Sequence, residues 1–131
     1  MTTLVYHAGA LGDFITTLPA IAAWRRLHEG QRTLLLGKPA HAGLALPRFD
    51  EVLDAESPLC AALFRVGPGL PERLAARLSG VDSALVFAHS SSPLMERLAS
   101  AGVRSILRQD PFPSNPIPIV DYHLSPLNPI A

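Results

Sequence analysis

The sequence predicts an α/β domain: a Rossmann-like parallel sheet of about five strands flanked by helices. Three observations predict it. Short apolar, β-rich runs alternate with longer segments at helical spacing. The first run opens into a small-residue loop and then a helix, His7-Ala8-Gly9-Ala10-Leu11-Gly12-Asp13. Hydrophobic residues make up 48% of the 131 and charged residues 17%, the composition of a chain that buries a core.

Thr3–Tyr6 reads as a buried strand and Ala8–Gly12 as its loop. Asp13 is placed to cap the helix that follows. Phe14, Leu18 and Ile21, with Ile15 and Ala22, give that helix its apolar stripe, and Gly30 ends it. Pro19 breaks the pattern, so the helix either kinks there or begins its regular part near Thr17. Thr33–Leu36 is the second strand, Ala40–Leu46 a short helix, and Glu51–Leu53 the third strand. Pro58–Arg65 reads as helix, as does Pro71–Leu78 with Pro71 in its first turn. Ala84–Ala88 is the clearest buried strand, Pro93–Ser100 a helix, and Val103–Leu107 the fifth strand.

Residues 1–110 form the Rossmann-like domain on this reading, and residues 111–131 a proline-rich tail. Six of the thirteen prolines fall there, which favours extended or irregular chain, with one helical turn possible at Val120–Leu124. Right-handed crossovers give a strand order of 3-2-1-4-5. The chain then reverses direction between strands 1 and 4, and ligands bind at the carboxyl ends beside such a switch. His7–Asp13 and Ala88–Ser92 both end there.

Zero formal net charge argues against a nucleic-acid partner. One cysteine, Cys60, cannot form an internal disulfide. The N-terminus lacks the charged and apolar regions of a signal peptide, and no apolar run reaches the ~20 residues of a membrane helix. A cytoplasmic protein with at most peripheral membrane contact is expected. Residues 1–49 hold Arg25, Arg26, Arg32, Lys38 and Arg48 against Asp13 and Glu29, either a solvated face or an anion-facing patch.

The glycines of the first loop allow a tight turn and close approach of a ligand, and the helix start behind them favours anions. The spacing is neither the dinucleotide fingerprint nor a P-loop. Asp13 has two readings, N-cap and general base, and physics alone puts capping ahead. His7 reads as a ligand-binding, proton-transferring or structural histidine. His89, Ser90, Ser91 and Ser92 end strand 4 at the same edge; their hydroxyls suit a sugar or phosphate, or a helix cap. No group of His, Asp and Glu has metal-ligand spacing.

Gly9-Ala10-Leu11-Gly12-Asp13 followed by Thr16-Thr17-Leu18-Pro19-Ala20 resembles the opening of the heptosyltransferase-type glycosyltransferases (glycosyltransferase family 9). The resemblance continues more loosely through Leu34–Lys38, Phe49–Val52 and Val86–Leu98. It spans the chain but only the family's N-terminal domain. It implies the acceptor-binding half of a two-domain GT-B fold in lipopolysaccharide biosynthesis, whose C-terminal domain holds an ADP-sugar donor; a separate donor-binding domain or a homodimer is the partner to expect. It makes Asp13 the base on the acceptor hydroxyl. His7, Gly9, Ala10, Leu11, Gly12, His89 and Ser90 become the expected acceptor-binding set, with no cofactor or metal. The family commonly carries Arg or Lys where this chain has His7. The alternative is a non-catalytic module that binds a sugar or phosphate, or dimerises.

Overall fold

The computed structural model describes residues 1–45, 47–67 and 69–109. The tail at 111–131, with its possible turn at Val120–Leu124, lies outside them. The strands are β1 (Thr2–His7), β2 (Arg32–Gly37), β3 (Glu51–Asp54), β4 (Val81–Phe87) and β5 (Ser105–Gln109). They form one parallel sheet in the order β3-β2-β1-β4-β5, as expected. The helices are α1 (Leu11–Leu27), α2 (Pro39–Ala42), α3 (Glu72–Leu78) and α4 (Leu94–Ser100), with a 3-10 helix at Pro58–Phe64.

Alternation along each strand divides the core between two faces. Leu4, Leu34, Leu36, Val86 and Ala84 point to one face and pack under the 3-10 helix, α3 and α4. Val5, Leu35, Leu85 and Phe87 point to the other and meet Phe14, Ala20, Ile21 and Trp24 of α1. Trp24 is buried, and its indole N–H donates to Thr3 Oγ1 at 2.8 Å. The Thr3 hydroxyl also meets Ser83 Oγ at 2.7 Å, so one buried polar chain pins α1 to β1 and β4. Cys60 is wholly buried in the core.

Several boundaries differ from the sequence reading. The N-cap of α1 is Ala10, not Asp13, and no side chain caps it. Helix α1 is continuous from Leu11 to Leu27 with Pro19 inside it, so its regular part does not wait for Thr17. Thr16 and Thr17 donate their hydroxyls to the carbonyls of Asp13 and Phe14 at 2.7 and 2.6 Å, reinforcing the turn just ahead of the proline. Helix α2 begins at Pro39 and is shorter than expected. Pro58–Phe64 winds as a 3-10 helix, and Pro71 is the N-cap of α3 rather than part of its first turn. Strand β5 lies two residues later than expected. Its register is set by β4, with Ser83 opposite Ser105 and Phe87 opposite Gln109.

Candidate functional site

The carboxyl ends of β1 and β4 open on a cavity of about 410 Å³. Tyr6, His7, Ala8, Gly9 and Asp13 line it from the β1 side, and Phe87, Ala88, His89, Ser91 and Ser92 from the β4 side. This is the switch point of the sheet, where adjacent strands send their connections to opposite faces.

Asp13 reaches the cavity because it does not cap. It sits in the first turn of α1, and among the described residues no hydrogen bond or ion pair engages its carboxylate. Its Oδ2 lies 3.6 Å from the point where a Cβ on Gly9 would stand, and His7 Cε1 lies 3.0 Å from the same point. A side chain at position 9 would fill the gap between ring and carboxylate. A Cβ at position 9 would press on the His7 ring, which would have to give by a few tenths of an ångström. At Gly12 nothing stands within 4 Å of a Cβ.

His7 is 2% exposed, and its ring packs edge-on against Phe14 and Phe87. The Gly9 N–H donates to its Nδ1 at 3.3 Å. A neutral ring that accepts at Nδ1 carries its proton at Nε2. This contact fixes the loop on the ring, so His7 serves as wall and loop anchor. Below it, a Cβ on Gly37 would meet the His7 carbonyl oxygen at 2.4 Å. Only glycine lets the tips of β1 and β2 approach this closely.

On the β4 side, the Ala88 carbonyl accepts from Arg108 Nη1 at 3.1 Å and its N–H donates to the Gln109 carbonyl at 3.0 Å. The Ser92 N–H donates to the His89 carbonyl at 3.0 Å, folding residues 89–92 into a turn. That turn carries Ser91 and Ser92 to the cavity. Ser92 Oγ accepts from the Leu94 N–H at 3.2 Å, so its hydroxyl serves the start of α4. Tyr6 stands against Phe64 with ring centroids 5.6 Å apart, and burial raises its phenol above the usual pKa.

Of the residues singled out in the sequence, the structure brings together His7, Gly9, Asp13, His89, Ser91 and Ser92. Ala10, Leu11, Gly12 and Ser90 are exposed and do not line the cavity. Ala88, Ser91 and Ser92 come from the segment the sequence placed at this edge, while Tyr6 and Phe87 were not selected. The direction of the turn decides between Ser90 and its neighbours, and no residue pattern encodes it. Arg97 was also missed: it is 7% exposed and donates to the carbonyls of Ala62 and Gly67, both at 3.0 Å. It ties α4 to the segment between β3 and α3.

Among the described residues, no three His, Cys, Asp or Glu side chains are grouped to hold a metal ion. No described helix is long and apolar enough to cross a membrane. Comparison with protein-family models, curated proteins and solved structures finds no match to this chain.

Proposed function

We propose that this domain is the acceptor-binding half of a sugar transferase related to the ADP-heptose:lipopolysaccharide heptosyltransferases. The observation that supports it most is the uncapped position of Asp13, which leaves a carboxylate facing the switch-point cavity. An acceptor hydroxyl in the gap above Gly9 gives its proton to Asp13 as its oxygen attacks the anomeric carbon of the donor. The bond from that carbon to the nucleotide breaks, and the nucleotide leaves with the electron pair. His7 holds the loop, and His89 and Ser91 flank the acceptor sugar. The donor site belongs to a partner domain that binds an ADP-sugar.

Titration of the 15N-labelled chain with lipopolysaccharide-core oligosaccharides tests the acceptor half. Amide shifts concentrated at Gly9, His89, Ser91 and Ser92 are expected. Shifts elsewhere, or none with any core sugar, overturn the reading. Mixing with an ADP-sugar-binding domain tests the chemistry: transfer should appear with the wild-type chain and be lost with Asp13→Asn.

A further inference from the structure

Alternation along β1 sends neighbouring side chains to opposite faces of the sheet. His7 meets Phe14 of α1 on one face, and Tyr6 meets Phe64 of the 3-10 helix on the other. Both line the cavity. The cavity therefore crosses the end of the sheet. Asp13 stands on its α1 side, and Tyr6 on the side covered by the 3-10 helix, α3 and α4.

The polar side chains around the cavity divide into engaged and unengaged groups. His7 Nδ1 accepts the Gly9 N–H, and Ser92 Oγ accepts the Leu94 N–H. Among the described residues, no hydrogen bond engages the Tyr6 hydroxyl, the Asp13 carboxylate, the His89 ring or the Ser91 hydroxyl. His89 and Ser91 are exposed and ride on the turn after β4, whereas Tyr6 and Asp13 are partly buried and ride on a strand and a helix. Groups on regular elements are held more precisely than groups on loops.

Packing alone does not account for the Tyr6 hydroxyl. The ring extends the apolar cluster around Leu4 and Phe64, a place that phenylalanine would fill as well. A phenol set among apolar side chains usually finds a protein partner for its O–H. This one opens on the cavity instead. Burial raises it above the ordinary value of 10.0, so at neutral pH it keeps its proton and can donate. Phe64 already fixes the ring, so little freedom is lost when the hydroxyl engages a ligand. A carboxylate only accepts. A ligand that meets both walls must give an O–H to Asp13 and an oxygen lone pair to Tyr6. A sugar carries both.

We infer that Tyr6 is an acceptor-binding residue: its hydroxyl donates to a non-reacting oxygen of the sugar whose reacting hydroxyl faces Asp13. The acceptor then lies across the end of the sheet, held from both faces. This rests on the sugar-acceptor reading, and the test separates the two.

The test is titration with lipopolysaccharide-core oligosaccharides, followed by the 13C signal of tyrosine Cζ. The sequence holds two tyrosines, Tyr6 and Tyr122, and Tyr6→Phe assigns the first. Sugar should move the Tyr6 signal. Tyr6→Phe keeps its ring on Phe64, so its thermal melt should match wild type. Its dissociation constant for the sugar should rise about five- to tenfold, the worth of one neutral hydrogen bond. With a donor-binding domain added, the loss should fall on KM rather than kcat. Wild-type affinity in Tyr6→Phe overturns the inference and leaves the sugar-acceptor reading standing. So does a Tyr6 signal that stays still while the Gly9 and Ser91 amides move, and that signal decides if the variant melts low. No binding of any core sugar by the wild-type chain overturns both.

Discussion

Two strand–loop–helix units meet at the cavity, and they start their helices in different ways. In the β4–α4 unit, Ser92 Oγ accepts the Leu94 N–H, so the side chain nearest the helix start is used by the backbone. In the β1–α1 unit the N-cap is Ala10, which has nothing to offer, and Asp13 is the third residue of the helix with its carboxylate toward the cavity. A hydroxyl engaged by a backbone N–H contributes to stability, whereas a carboxylate with no such bond stays available to a ligand. Neither N-cap, Ala10 or Pro93, makes a side-chain bond, and α1 is held by Phe14, Ile21 and the Trp24–Thr3 hydrogen bond. The short α4 has Pro93 as its N-cap, and the Ser92 hydroxyl, one residue ahead, holds the Leu94 N–H.

This contrast can be broken, and the largest effect should come from Asp13→Asn. Loss of the base should lower transfer by about a hundredfold to ten-thousandfold in an assay reconstituted with a donor-binding domain. Chemical denaturation should show a cost below about 1 kcal/mol, the scale of a charge near a helix start. An unfolding cost well above that, with transfer retained, would make Asp13 structural after all.

Gly37→Ala attacks the floor shared by both readings. The added methyl meets the His7 carbonyl oxygen, a backbone atom that cannot swing aside. Denaturant unfolding should show a loss of roughly 1–3 kcal/mol, with the β1 tip displaced. Ser92→Ala is the counterpart on the other unit. It should cost about 1 kcal/mol by the same measurement and leave transfer near the wild-type rate. If Ser92→Ala instead abolished sugar binding at unchanged stability, the division of labour between the two helix starts would be reversed.

The smallest effect lies at the opposite edge of the sheet. There Asp50 Oδ2 accepts from the Thr33 N–H at 2.8 Å and from the Thr33 hydroxyl at 3.1 Å. The backbone hydrogen bond first, then the hydroxyl, hold the Asp50 carboxyl below its usual value of 3.8. A depressed folded value means the clamp stabilises fully above that pH and is lost as pH falls through the folded value. Asp50→Asn should therefore be less stable than wild type at neutral pH by a few tenths of a kcal/mol, given the exposure of the group. Thermal melts at a series of pH values below 3.8 should show the gap closing.

Strand identity and order were legible because the information is local and repeated. Runs such as Leu34-Leu35-Leu36 and Ala84-Leu85-Val86 are apolar on both faces, as only a covered parallel sheet requires. The site was legible to the level of the segment: glycine loop after β1, hydroxyl-rich turn after β4. What the sequence hid depended on distant partners. The Thr16 and Thr17 back-bonds that accompany Pro19 are side-chain choices that no propensity ranks. The start of β5 follows the ladder of β4, and Arg108 and Gln109 join the strand despite their polarity because β4 offers them partners. The burial of Arg97 depends on two carbonyls 30 and 35 residues earlier in the chain.

The bare Cα at position 9 has a consequence for chemical probing. Ring and carboxylate stand so near the missing substituent that Gly9→Ala would install a plug about the size of a methyl group. Such a chain would carry its own competitive blocker, with Asp13 and His7 intact on either side. Any compound that is held at this spot must bring its smallest, most polar corner first.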